Sequence, residues 1–196
     1  MDINILLFDD FETLDAFGPV EVLGCVEEYR LCYVSFNGGT VVSKQGIQVL
    51  TENINDVNQH GILLIPGGRG TRALVNDSEF IKKLSDAVMK SEYCLTVCTG
   101  SALLAKTGLL DNIRATSNKM AFKWVKSVSS NVLWVKEARW VVDQKYYTSS
   151  GVSAGIDMAL GFVSEHLGMD KAQEVCKHIE YIWNSDPDND PFANIY

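Results

Sequence analysis

Thr96-Val97-Cys98-Thr99-Gly100-Ser101 is the stretch on which the fold turns. The apolar run Tyr93–Val97 leads into it as a short buried strand, and Ser101-Ala102-Leu103-Leu104-Ala105 leaves it as a helix of small residues. A side chain on a tight turn between strand and helix is pushed out of the backbone. Such an elbow needs small residues two positions before and two after the reactive one, and Thr96 and Gly100 nearly meet that need. The helix start adds free N–H groups and partial positive charge, which favour a thiolate over a thiol. Cys98 is therefore a candidate nucleophile. A buried, inert cysteine is the alternative open at this point.

The strands to either side place other groups beside it. Ile3–Phe8 is apolar but for Asn4 and reads as a buried first strand. After the loop Asp9–Glu12 comes a helix over Thr13–Leu23, with Gly18-Pro19 as a kink. Asp15 then lies near the carboxyl end of the first strand, where a helix cap is its ordinary role. A second strand spans Arg30–Phe36, and Thr40–Ser43 with Gly46–Leu50 forms a hairpin. Gly61–Ile65 is another buried strand, ending in Pro66-Gly67-Gly68-Arg69-Gly70. Glycines there permit close approach to a ligand, but neither GxGxxG nor a Gly-Lys-Ser/Thr ending is present, so no phosphate loop is expected.

Downstream, Ser78–Ser91 is an amphipathic helix with Lys82, Lys83, Asp86 and Lys90 off its apolar face. Gly108 ends the elbow helix. A short strand at Arg114–Ser117 precedes a helix over Asn118–Lys126, and strand-like residues follow at Val132–Val135 and Ala138–Thr148. Val152–Leu167 is apolar on most sides and reads as a buried helix. Asp170-Lys171-Ala172-Gln173 has capping-box spacing and starts a last helix through about Trp183, leaving an irregular tail from Asn184. Strands alternate with helices, the sign of an α/β fold with a mainly parallel sheet covered on both faces. Ligands bind beyond the carboxyl ends of such strands. Asp15, Gly67-Gly68 and Cys98 each follow a different strand and so converge on one crevice.

The chain has 196 residues, 46% hydrophobic and 21% charged, which fits one globular domain over 1–196. A net charge of −8 and a pI of about 4.8 argue against nonspecific binding to nucleic acid or to anionic membranes. No stretch approaches the ~20 apolar residues of a membrane span, and Met1-Asp2-Ile3-Asn4 lacks a basic leader, so a cytoplasmic protein is expected. Cys25, Cys32, Cys94, Cys98 and Cys176 are scattered and include no CxxC pair, which disfavours a disulfide framework or a zinc site.

A cysteine hydrolase needs a thiolate, a proton-handling partner and donors for developing negative charge. Cys98 and Asp15 are the candidates for the first two roles. The backbone N–H groups of Gly68 and Thr99 are candidate donors. Histidine is the usual base, but His60 precedes a strand at its amino end, and His166 and His178 lie in late helices. The count disfavours a Cys–His dyad.

Phe8, Leu14-Asp15 with Gly18-Pro19-Val20-Glu21-Val22-Leu23, Ile65-Pro66-Gly67-Gly68 and Val97-Cys98-Thr99-Gly100-Ser101 together resemble the ThiJ/PfpI superfamily. Gly108-Leu109-Leu110 with Arg114-Ala115-Thr116, and Ser150-Gly151-Val152-Ser153-Ala154-Gly155-Ile156-Asp157, fit it too. The order Leu-Asp, Gly-Pro-x-Glu and Cys-Thr-Gly-Ser is similar to the isonitrile hydratase subgroup and to the amidase-like domains of AraC-type regulators. The resemblance implies a flavodoxin-like, glutamine-amidotransferase-like three-layer sandwich and a homodimer. It implies a catalytic set of Cys98, Asp15 and Thr99, with Gly67, Gly68, Gly100 and Asn118 at oxyanion- and substrate-binding positions. It implies a small-molecule substrate, an isocyanide hydrated to an N-substituted formamide, and no metal or organic cofactor. Protease-like relatives carry a histidine where this chain has Thr116-Ser117-Asn118-Lys119, and Asn118 cannot act as a base at neutral pH, so peptidase activity is not expected. The regulators add a DNA-binding module that this sequence lacks, so no nucleic-acid partner is expected. Two other roles stay open: a redox or electrophile sensor using Cys98, and a ligand-binding member without catalysis.

Overall fold

Apolar runs without alternation become the centre of the sheet, because both of their faces are covered. The computed structural model describes residues 1–196. Its strands are β1 (Asp2–Leu6), β2 (Arg30–Ser35), β3 (Gly39–Val42), β4 (Gln48–Asn53), β5 (Ile62–Ile65) and β6 (Tyr93–Val97), followed by β7 (Arg114–Ala115), β8 (Leu133–Trp134), β9 (Trp140–Asp143) and β10 (Tyr146–Ser149). The main sheet has eight strands in the order β3-β4-β2-β1-β5-β6-β10-β9. Pairing is parallel except at the two edges, β3 with β4 and β9 with β10. The register sets Ile5 opposite both Tyr33 and Leu64, Ile65 opposite Thr96, and Val97 opposite Ser149. β1 has neighbours on both sides, so the chain winds outward in both directions from it. A crevice opens where the winding reverses, at the carboxyl ends of β1, β5 and β6.

Helices α1 (Thr13–Gly24), α6 (Ala154–Leu167) and α7 (Met169–His178) pack together on one side of the sheet. Helices α2 (Thr71–Leu74), α3 (Ser78–Lys90) and α5 (Phe122–Val128) gather around α4 (Gly100–Lys106) on the other, giving the three-layer α/β sandwich. One continuous core joins the layers and includes Ile3, Ile5, Leu64, Ile65, Leu95, Leu103 and Phe162, each fully buried. Gly18 lets α1 approach α6: a Cβ there would lie 2.8 Å from Ile156 Cγ1. No helix is long and apolar enough to cross a membrane.

Helix α1 continues through Gly18-Pro19, where proline removes the N–H that would bond the Asp15 carbonyl. Three local expectations change. Helix α7 starts at Met169 with no side-chain cap, so Asp170 and Gln173 form no capping box; the chain turns directly at Gly168, with φ 94°. The same helix ends at His178 rather than Trp183. Glu180 takes φ 51°, and Tyr181 N–H donates to the Cys176 carbonyl at 2.9 Å, a Schellman closure formed without glycine. The strand awaited at Arg114–Ser117 shortens to β7, which pairs with β8 in a separate two-stranded sheet.

Candidate active site

Cys98 sits between β6 and α4 with φ 57°, a left-handed conformation that costs a non-glycine residue about 1–2 kcal/mol. The surroundings impose it. Cys98 N–H donates to the carbonyls of Ser149 (3.2 Å) and Ser150 (3.1 Å), while the hydroxyls of Ser117 (2.8 Å) and Ser101 (3.0 Å) donate to its carbonyl. A Cβ on Gly100 would run into the carbonyl oxygen of Ile65 and lie 2.9 Å from that of Pro66, so the residue two after the cysteine must be small. Thr96, two before it, is fully buried.

Asp15 is fully buried in the first turn of α1 and caps nothing. Its Oδ2 accepts from Gly67 N–H at 3.0 Å, its carboxyl meets the Cys98 thiol, and Oδ1 has no N–H or O–H donor. Burial pushes the carboxyl from its ordinary 3.8 up to about 8; the Gly67 N–H opposes this, and the charge of Glu12 adds to it. Burial also pushes the Cys98 thiol well above its ordinary 9.0, and the neighbouring Asp15 charge adds, against the pull of Thr99 N–H. That reverses the expected direction. The start of α4, a helix of only seven residues, does not outweigh enclosure beside a carboxylate. The two groups form a coupled pair that keeps its protons at neutral pH.

The other expected positions are also located. Gly67 N–H is engaged by Asp15 and Gly68 N–H by Thr99 Oγ1 (3.0 Å), so neither amide points free into the crevice. The Thr99 hydroxyl also meets Thr71 Oγ1 at 3.1 Å, while its N–H faces the thiol. Asn118 Oδ1 accepts from Ala121 N–H at 3.0 Å, and its amide packs on Gly151. None of the histidines joins Cys98: His60 lies 3.8 Å from Glu92, His166 Nε2 is 3.1 Å from the Tyr147 hydroxyl, and His178 ends α7.

A family model for the DJ-1/PfpI family matches residues 1–165, from β1 through the elbow and into α6. The chain belongs to the DJ-1/PfpI family. It is similar to the isonitrile hydratase of Pseudomonas putida, at 31% identity over 182 residues, covering 92% of this chain and 78% of that one. It is 25% identical over 189 residues to the HTH-type transcriptional regulator GbdR of Pseudomonas aeruginosa, covering 91% of this chain but only 50% of the regulator. Among solved structures, a ThiJ/PfpI family protein from Pseudomonas syringae superposes with a TM-score of 0.81 at 28% identity, covering 95% of this chain and 76% of that one. Drosophila melanogaster DJ-1beta shares the fold, with a TM-score of 0.79 at 22% identity over 93% of this chain and 98% of that one.

Within this DJ-1/PfpI site, three neighbours carried no sequence signal. Helix α2 is one turn long and holds Thr71 and Arg72 over the crevice. The Arg72 guanidinium stacks on Trp124, 3.5 Å from the ring centroid, and is close enough to Cys98 to interact with its thiolate form. Ser117 reaches the Cys98 carbonyl from beyond β7. Four residues are too few for a periodic pattern, and a lone serine has none.

Proposed function

We propose that this chain is a cysteine-dependent hydratase that converts an isocyanide and water into an N-substituted formamide. The observation that carries the reading is the enclosed pair of Cys98 and Asp15, 7% and 0% exposed, at the strand ends with no imidazole beside them. The similarity to the Pseudomonas putida isonitrile hydratase supports it. With its pKa raised to about 8, the Asp15 carboxyl is mostly in the acid form at neutral pH. It gives its proton to the isocyanide carbon as Cys98 sulfur bonds to that carbon, and it takes the thiol proton in return. The product of this step is a thioimidate, S–CH=N–R. Water adds across the C=N bond, with its proton passing to nitrogen. The tetrahedral adduct then breaks its C–S bond, the sulfur recovers a proton, and the formamide leaves. Thr99 N–H, which already favours charge on the sulfur, stabilises it as it leaves.

In this reading residues 1–196 act as one domain, which the continuous core supports, within a homodimer in a reducing cytoplasm. Peptidase chemistry lacks its base. The similarity to GbdR favours one other reading, a site that holds a small ligand without turning it over. Incubation with cyclohexyl isocyanide, followed by mass spectrometry, separates the two. Cyclohexylformamide is expected from wild type and not from Cys98→Ser, whereas intact isocyanide after prolonged incubation with wild type would remove the hydratase reading.

A further inference from the structure

The irregular tail at 184–196 has no helix or strand, yet Asp190 and Ala193 within it are only 3% and 4% exposed. Buried charge holds it. Asp157 Oδ1 accepts from Tyr181 Oη (3.1 Å) and from Asn184 N–H (3.0 Å), and Asp157 Oδ2 accepts from Arg139 Nε at 2.6 Å. Arg139 N–H donates to the Pro187 carbonyl at 2.7 Å, and Asp190 N–H donates to the Glu137 carbonyl at 2.8 Å. The Asp190 carboxylate lies 3.5 Å from Lys119 Nζ and 3.7 Å from Arg139 Nη1, all three side chains being buried. The contacts at Asn184, Pro187 and Asp190 tie the backbone of the segment to α6 and to the chain before β9.

The segment so held carries Phe192 and Tyr196 to a cavity of about 270 Å³, whose other apolar walls are Leu14, Met120 and Val152. Chain neighbours and hydrogen-bond partners of the reactive pair line that cavity, although Cys98 and Asp15 themselves do not. Leu14 precedes Asp15 in α1. Ser150, which also lines the cavity, accepts the Cys98 N–H, and lining Asn118 follows Ser117, whose hydroxyl bonds the Cys98 carbonyl. The one charged side chain on its wall, Lys119, is committed elsewhere: its ammonium donates to Thr116 Oγ1 (2.8 Å) and to the Ala138 carbonyl (2.7 Å). Leu14, Met120 and Phe192 are 44%, 71% and 46% exposed, so an apolar group seated among them removes substantial apolar area from water.

We infer that this cavity takes the apolar N-substituent of the substrate, and that the tail sets the substituent's size through Phe192 and Tyr196. The inference rests on the proposed isocyanide chemistry for its substrate class, so its test has two arms. In the first, kcat/KM is measured for methyl and cyclohexyl isocyanide with wild type, Phe192→Ala and Val152→Trp. In the second, the rate of Cys98 alkylation is compared for N-methyl and N-cyclohexyl maleimide, which needs no turnover. Filling the cavity with Val152→Trp should lower the cyclohexyl-to-methyl ratio at least tenfold in both arms. Phe192→Ala, at a half-exposed position that leaves the melting temperature near wild type, should move the ratio about three- to tenfold, within the range one apolar contact commands. A shifted alkylation ratio in an enzyme that turns over no isocyanide keeps the pocket and removes the isocyanide reading. Ratios unchanged in both arms, with isocyanide turnover present, overturn the pocket.

Discussion

At the scale of single residues, the site is governed by what enclosure does to two acidic groups. Asp15 holds its proton up to about pH 8 in the folded chain, against an ordinary value of 3.8. The folded state therefore binds that proton more tightly than the unfolded state, and stability falls as pH rises through this window. Asp15→Asn cannot ionise. Its melting temperature should hold steady where that of wild type declines, so the variant gains on wild type as pH approaches 8. Parallel melting curves across the window would show that Asp15 does not titrate there. In activity the change runs the other way. An amide cannot exchange the proton, and isocyanide turnover should fall by roughly 100-fold while the fold is retained. Above pH 8, where wild-type Asp15 ionises, alkylation of Cys98 should be faster in Asp15→Asn, because the charge that raises the thiol has gone.

At the scale of elements, the elbow works because β5 and α4 approach closely. Gly100 is the contact: any side chain there meets the Ile65 and Pro66 carbonyls. Gly100→Ala should cost about 1–3 kcal/mol, the usual penalty for overpacking a site that cannot expand, read as a lower urea midpoint at unchanged slope. Because the same turn sets φ of Cys98, reactivity toward N-methyl maleimide should change with it. A midpoint equal to wild type would mean that the β5 end yields freely. Helix α7 teaches a complementary lesson. Its apolar pattern continues past His178, but the chain leaves the helix at Glu180 so that Tyr181, Trp183 and Asn184 can all reach Asp157.

At the scale of the whole molecule, Asp157 and Arg139 join α6, the start of β9 and the tail into one body. Asp157→Ala leaves the Arg139 guanidinium, whose side chain is 6% exposed, without its nearest counter-charge, and it frees Tyr181 and Asn184, the latter the first residue of the tail. A loss of about 3–5 kcal/mol is expected, as for other broken buried pairs. Limited proteolysis should then cut between residues 184 and 196 faster than in wild type; equal cutting rates would assign the anchoring to Asp190 alone. The homodimer of the proposed reading should scatter light at twice the 21.7 kDa chain mass. A particle at the single-chain mass would restrict that reading to a monomer.

Layering and the convergence of the site are legible in the amino-acid pattern. Predominantly apolar runs at Ile3–Phe8, Gly61–Ile65 and Tyr93–Val97, broken only by Asn4 and Thr96, specify central parallel strands, because only a doubly covered sheet buries both of their faces. Strands of that kind bring Asp15, Gly67 and Cys98 to one edge whatever the loops between them do, and the Leu-Asp and Cys-Thr-Gly-Ser spacings made the family legible. The protonation of the pair, by contrast, follows from the folded arrangement. A local view of Cys98 shows a helix start that favours the thiolate, whereas the folded chain encloses the sulfur and sets a carboxyl beside it, and desolvation outweighs the helix start. The same holds for the amides of Gly67 and Gly68, taken up by Asp15 and Thr99, and for Lys119, Arg139, Asp157 and Asp190. These are pairings between residues far apart in the chain, and no periodicity encodes them. Their energies depend on burial, which exists only once the layers have closed.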